Sequence, residues 1–219
     1  MGVSQPATPA SSPTKPPAWQ IGGATILSFV ALLYVIELVD QLTGHHLDVN
    51  GIRPLEADGL WGILFAPLLH ADWSHLISNT FPLLVLGFLM TLAGLSRFLW
   101  ATAIVWIVGG FGTWLIGNVG ACRFESDHIG ASGLIFGYLA FLIVFGWLIR
   151  RVWDIITGLV VLFAYGGILV GAVPVLDKCH GVSWQGHLCG AAAGVLAAYL
   201  LSGPERKARA RNKSRTPAA

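Results

Sequence analysis

A serine hydroxyl is a poor nucleophile at neutral pH and needs a base within hydrogen-bond reach. In this 219-residue chain the groups that meet that need fall in three separate apolar segments. They are His70, His75 and Asn79 in one, Gly130-Ala131-Ser132-Gly133 in another, and Gly186-His187 in a third. Ser132 as nucleophile has one candidate base across a helix interface, His187. His75 and Asn79 stand at i and i+4, share a helical face, and can both donate to the oxyanion of a tetrahedral intermediate. His70 lies five positions before His75, about 140° round a helix, and is given a structural or loop-anchoring part. Each feature alone has an ordinary explanation. In a chain with 27 glycines G-x-S-G arises easily by chance, and a lone histidine in a membrane helix is more often a hydrogen-bonding strut. Their convergence at one depth is what points to a site.

The segments that must position these residues are membrane helices. The composition is 55% hydrophobic and 11% charged, with a mean hydropathy of +0.70. Apolar runs long enough to span a bilayer occur at 21–39, 76–93, 98–117, 131–149, 155–173 and 184–201. No run alternates with period two, so a β-barrel is excluded and the expected fold is an all-α bundle of six transmembrane helices. Residues 1–20, rich in Pro, Ser, Thr and Ala, read as a disordered tail; 21–202 form one domain; 203–219 form a basic tail.

With both termini in the cytoplasm, ten of the 13 lysines and arginines lie inside and only Arg53, Arg123 and Lys178 lie outside. That asymmetry sets the orientation in the cell membrane and places the three polar helix starts at the extracytoplasmic face. Ser132 stands 18 residues, or roughly 27 Å, from the inner end of its helix, just below the outer edge of a bilayer core about 30 Å thick. For Ser132 to meet His187 their helices must approach closely. Gly133 and Gly137 on one and Gly190 and Gly194 on the other have the small-residue spacing that permits it.

Other classes fit less well. The basic cluster from Arg206 to Arg215 suits anionic lipid better than nucleic acid. There is no H-E-x-x-H, and the second-segment histidines do not share a face, which argues against zinc or haem. Paired repeats with broken helices, the mark of many transporters, are absent. No cofactor or metal is implied, and oligomeric state is not encoded in any visible pattern. Three cysteines give no disulfide framework. Cys122 and Cys179 both fall in external loops, where a bridge and two free thiols remain alternatives.

On His70-x4-His75-x3-Asn79, Gly130-Ala131-Ser132-Gly133 and Gly186-His187-x2-Gly190-x3-Gly194, the chain resembles the rhomboid intramembrane serine proteases from about residue 21 to residue 201. The resemblance implies a six-helix fold of that type and a catalytic dyad without an aspartate, Ser132 and His187. It implies an oxyanion hole of His75, Asn79 and the Ser132 amide, and an aromatic ring, Phe136, stacked on the catalytic imidazole. It implies transmembrane proteins as substrates; a catalytically inactive rhomboid-like chaperone or binding protein is the alternative. The chain departs from many members at Trp61-Gly62, where they carry Trp-Arg, and Arg53 is the residue expected to anchor the first loop instead.

Overall fold

The structure, a computed structural model, describes residues 16–120, 127–173 and 183–215. Cys122 and Cys179 lie outside the described residues, as does most of the N-terminal tail. Among the described residues there is no β-strand, and six helices are long and apolar enough to cross a membrane. They are α1 (Ala18–Thr43), α2 (Trp73–Leu92), α3 (Leu95–Ile116), α4 (Ser132–Ile149), α5 (Val152–Ala172) and α6, whose regular part is Trp184–Leu201. The chain is therefore a multi-pass, six-helix membrane protein. A seventh helix, α7 (Gly203–Arg215), follows α6 directly and holds the start of the basic tail in helical form.

The helices begin and end where local chemistry dictates. α1 runs four residues past the expected end at Val39 and stops at Gly44, whose φ of 81° closes the last turn on the Asp40 and Gln41 carbonyls. α2 starts later than the histidine pattern suggested. Asp72 is extended and its carboxylate accepts the His75 amide at 2.8 Å, so the helix opens at Trp73. His70 therefore lies in the preceding loop, and a helical-wheel angle does not apply to it. α3 carries a π-helical turn at Val105–Gly109, where it meets α6.

α4 is the central element, with every residue from Leu134 to Leu142 buried. A helix apolar on all sides belongs inside a bundle. It meets α6 main chain to main chain: a Cβ at Gly190 would fall on the Gly133 carbonyl, and one at Gly194 on the Gly137 carbonyl. α5 uses the same device, with Gly158 placed so that a Cβ would stand 2.8 Å from the Leu142 carbonyl. The outward faces are apolar, as at Leu27, Phe81, Trp147 and Phe163, which suits a lipid surround.

The first loop, between α1 and α2, is bound to α3 and to the entry of α4. Trp114 and Trp106 donate their indole N–H groups to the carbonyls of Glu56 and Ile63, each at 2.8 Å. Ile52 and His128 exchange both main-chain hydrogen bonds at 3.0 Å. This explains the departure at Trp61-Gly62. Gly62 packs directly on the backbone of Gly51 and Ile52, where any side chain would collide. Arg53 ties the loop to itself, through Glu56 at 2.7 Å and the Val49 carbonyl at 2.9 Å.

If α4 and α6 are held together by backbone approach, Gly194→Val should lower the unfolding temperature in detergent, since overpacking costs about 1–3 kcal/mol. Gly203→Ala, in open space, should change it little. Equal unfolding temperatures for the two variants would show that the glycine contacts do not hold the bundle.

Candidate active site

Gly130 turns the chain into α4 with φ of 118°, a conformation that side chains disfavour. A second constraint acts at the same residue. A Cβ there would stand 2.7 Å from His75 Cε1, 2.8 Å from its Nε2 and 3.8 Å from Asn79 Nδ2. The imidazole and the amide, one helical turn apart on α2, are thus aimed together at the main chain just ahead of Ser132. The Gly130 amide donates to the Ala66 carbonyl at 2.8 Å and the Ala131 amide to His70 Nε2 at 3.3 Å. His70 also sets its ring edge-on to His75, with centroids 5.1 Å apart. It anchors this entry strand of chain.

Ser132 is the first residue of α4, so its amide belongs to the turn that has no intrahelical acceptor. Its Oγ lies 2.9 Å from His187 Nε2. His187 Nδ1 lies 3.1 Å from the Gly171 carbonyl of α5. A carbonyl only accepts, so Nδ1 carries the proton and Nε2 keeps the lone pair that accepts from the Ser132 hydroxyl. Phe136, one turn after Ser132, stacks on the imidazole at 4.0 Å between centroids and 10° between planes. Gly133 faces the Gly186 carbonyl at 3.6 Å from its would-be Cβ, which leaves the two helices free to close on each other.

Asn79 Nδ2 is buried and has no hydrogen-bond partner among the described residues. Buried donors are nearly always paired, so a free one directed at the Ser132 entry is available for a negative charge that forms there.

The structure brings together all of the residues singled out from the sequence: Ser132 with His187 and Phe136, His75 and Asn79 with Gly130, and His70 with Ala131. It adds His128 and Ser183, which sequence reasoning passed over as loop. His128 Nδ1 lies 2.6 Å from Ser183 Oγ, and that same oxygen accepts the Gly186 amide at 3.0 Å as the cap of α6. Both line the cleft that reaches Ser132, along with Thr113 and Trp106. An ionisable residue two positions before Gly130 was the available signal. Burial drives the His128 imidazole down to about 4; burial and, second, His75 drive His70 down to about 3. Both are neutral at pH 7.

In this six-helix membrane protein a serine hydroxyl thus meets an imidazole at the first turns of two neighbouring helices. Residues 57–204 match the family model described as Rhomboid domain. Similar proteins include an uncharacterized protein of Mycobacterium tuberculosis, 72% identical over 208 residues, with 95% of this chain and 87% of that protein covered. One of Mycobacterium leprae is 68% identical over 198 residues, covering 90% and 78%. Rhomboid-like protein 11, chloroplastic, of Arabidopsis thaliana is 28% identical over 188 residues, covering 78% and 64%. The chain belongs to the rhomboid family, whose members are in general intramembrane serine proteases.

His70 and His128 make stability depend on pH. Their folded values lie below the ordinary 6.5, so the unfolded chain takes up protons that the folded one refuses. Their contribution is complete above about pH 6.5 and declines as pH falls from there, by about 1 kcal/mol per pH unit for each group. Asp48, raised to about 6 by burial and by Asp40, acts in the opposite sense. Comparison with His128→Asn isolates one imidazole. Between pH 7 and pH 5 the variant should lose less stability than the parent; equal slopes in denaturant unfolding would remove the assignment of a buried neutral His128.

Proposed function

We propose that this protein is an intramembrane serine endopeptidase that cleaves transmembrane segments of other membrane proteins. Ser132 is the nucleophile and His187 the general base. The oxyanion hole is His75, Asn79 and the Ser132 amide. The observation that carries the reading is the 2.9 Å hydrogen bond from Ser132 Oγ to an imidazole whose other nitrogen is held by the Gly171 carbonyl and whose ring is held by Phe136.

As Ser132 Oγ attacks a substrate carbonyl carbon, its proton passes to His187 Nε2 and the carbonyl oxygen becomes an oxyanion. The unspent Asn79 amide, the His75 ring and the helix-start amide of Ser132 then stabilise that charge. Collapse of the tetrahedral species breaks the C–N bond, and His187 returns the proton to the leaving amine. Water, activated by the same imidazole, hydrolyses the acyl-enzyme. The part that a third, orienting residue plays in a triad falls to a neutral carbonyl beside the dyad. A carboxylate at this depth would carry a heavy desolvation cost, and Gly171 supplies tautomer and orientation without it.

The proposed setting is the cell membrane, with both termini cytoplasmic and the site open to the extracytoplasmic side, since ten basic residues then lie inside. The fold unit is residues 21–202, flanked by two cytoplasmic tails. A continuous substrate helix hides its carbonyls in i to i−4 bonds, so substrates with small or helix-breaking residues near their outer ends should be preferred. No cofactor takes part.

Detergent-purified protein with a model single-span substrate tests this. Ser132→Ala and His187→Ala should each abolish cleavage while the protein stays folded, and their effects should not add. Substantial residual activity in either would remove the dyad assignment. EDTA should leave the rate per folded molecule unchanged.

Asn79→Ala should lower the catalytic rate on the order of 100-fold with little change in substrate binding, and should still label slowly with a fluorophosphonate. His75→Ala should behave in the same way. Lost thermal stability with an intact rate would instead make His75 and Asn79 struts of α2.

A further inference from the structure

α7 is a helix without an apolar face. Its 13 residues hold six lysines and arginines and one acid, Glu205. That acid is already engaged. It pairs with Arg97 near the start of α3, whose guanidinium also lies over the Phe145 ring, 4.6 Å from its centroid. Arg206, Lys207, Arg209 and Arg211 are exposed, and among the described residues Arg206, Lys207 and Arg209 pair with no carboxylate. Lys207 and Arg211 stand at i and i+4, and Arg206 and Arg209 at i and i+3, spacings at which like charges repel along a helix. The Glu205 pair fastens the first turn to the bundle, but a helix polar on all sides has no apolar stripe to hold the rest. Its repulsion calls for negative charge from outside the chain.

The geometry says where that charge lies. α7 prolongs α6 through Ser202, whose amide donates to the Ala198 carbonyl at 3.1 Å and whose carbonyl accepts the Arg206 amide at 3.0 Å. Tyr199 and Arg206, seven residues apart, therefore share a face, and the guanidinium stands over the phenol ring, 4.8 Å from its centroid. Tyr199 is 54% exposed in the last turn of α6, the position of an interfacial aromatic facing lipid. Arg206 is thus turned back to the level at which headgroups begin. At 1.5 Å per residue, Arg211 lies roughly 15 Å beyond Leu201 even if α7 stands upright on the membrane. A headgroup layer of about 5–7 Å and a Debye length of about 8 Å together reach that far.

We propose that α7 binds anionic phospholipid headgroups through Arg206, Lys207, Arg209 and Arg211, and that these lipids keep it helical. The leaflet is the cytoplasmic one in the orientation proposed above. Each Lys or Arg at such a surface favours anionic over neutral lipid about fivefold. A nucleic acid would have to approach the same residues against a membrane of its own sign, whereas lipid phosphates are carried to them by α6.

The test uses the full chain in a neutral detergent, mixed with equal amounts of phosphatidylglycerol and phosphatidylcholine at physiological salt, re-isolated by size exclusion, with bound lipid measured by mass spectrometry. Phosphatidylglycerol should exceed phosphatidylcholine at least about fivefold, and the preference should collapse at about 1 M salt. Arg206→Gln, Lys207→Gln, Arg209→Gln and Arg211→Gln combined should reduce it to about twofold or less. Arg206→Lys, Arg209→Lys and Arg211→Lys combined should keep it, because charge rather than the guanidinium fork is read. Arg150→Gln with Arg151→Gln, at an inner corner where Arg151 already pairs with Asp154 at 3.3 Å, should lower it less than the glutamine set in α7 does. Lipid is offered to both faces, so the outcome does not depend on orientation, and Ser132→Ala should bind lipid as the parent does, so this result and that of the protease assay are read separately. No preference in folded parent protein, an equal preference in parent and the fourfold glutamine variant, or an equal loss in the Arg150, Arg151 variant would overturn the proposal. A single-stranded oligonucleotide bound at physiological salt by parent protein that shows no lipid preference would assign α7 to nucleic acid instead.

Discussion

Everything at the site depends on two helices meeting without side chains between them. In lipid there is no hydrophobic drive to bring helices together, so close van der Waals contact has to supply it. α4 and α6 achieve it at Gly133 with Gly190 and at Gly137 with Gly194, and the backbone of α3 joins the same contact at Gly109, whose would-be Cβ stands 3.3 Å from the Gly190 Cα. Ser132 and His187 are one and three residues outside this glycine pairing. The main-chain contact sets how near the two residues come, and the Gly171 carbonyl and the Phe136 ring hold the imidazole so that its Nε2 stands 2.9 Å from Ser132 Oγ.

That rigidity is matched by an absence of net charge. The imidazole of His187 is oriented by a carbonyl and an aromatic ring, and the flanking His70 and His128 are held neutral by burial. A charge in this place would need a partner or would draw water into the bundle. In the mechanism we propose, the pair becomes charged only as the hydroxyl proton moves, which concentrates the electrostatic demand in the reacting state, and the Asn79 amide lies close by.

The six spans, the starts of α4 and α6, and the shared face of His75 and Asn79 were legible in the sequence because each rests on a local signal: length of apolar run, small-residue spacing, or an i to i+4 relation. What was not legible rests on contacts between distant segments. The start of α2 depended on whether Asp72 caps the helix, and the cap removed His70 from it. Gly62 looked like a missing arginine, and only the packed backbone of Gly51 and Ile52 shows why no side chain stands there. His128 carried no motif, since its significance comes from Ile52 on one side and Ser183 on the other.

Those two partners make His128 the joint between three parts of the molecule. Its main chain pairs with Ile52 of the first loop, two residues before the turn at Gly130 that starts α4. Its ring meets Ser183, which caps the helix that carries His187. The starts of α4 and α6 are therefore tied through one residue, His128, to the loop between α1 and α2. The glycine contacts fix how far apart the two helices lie, while this chain of hydrogen bonds fixes the level at which each begins. A serine at the first position of one helix and a histidine in the first turn of the other can face each other only when both conditions hold. The first loop, though remote in sequence from Ser132 and His187, thus belongs to the framework of the site.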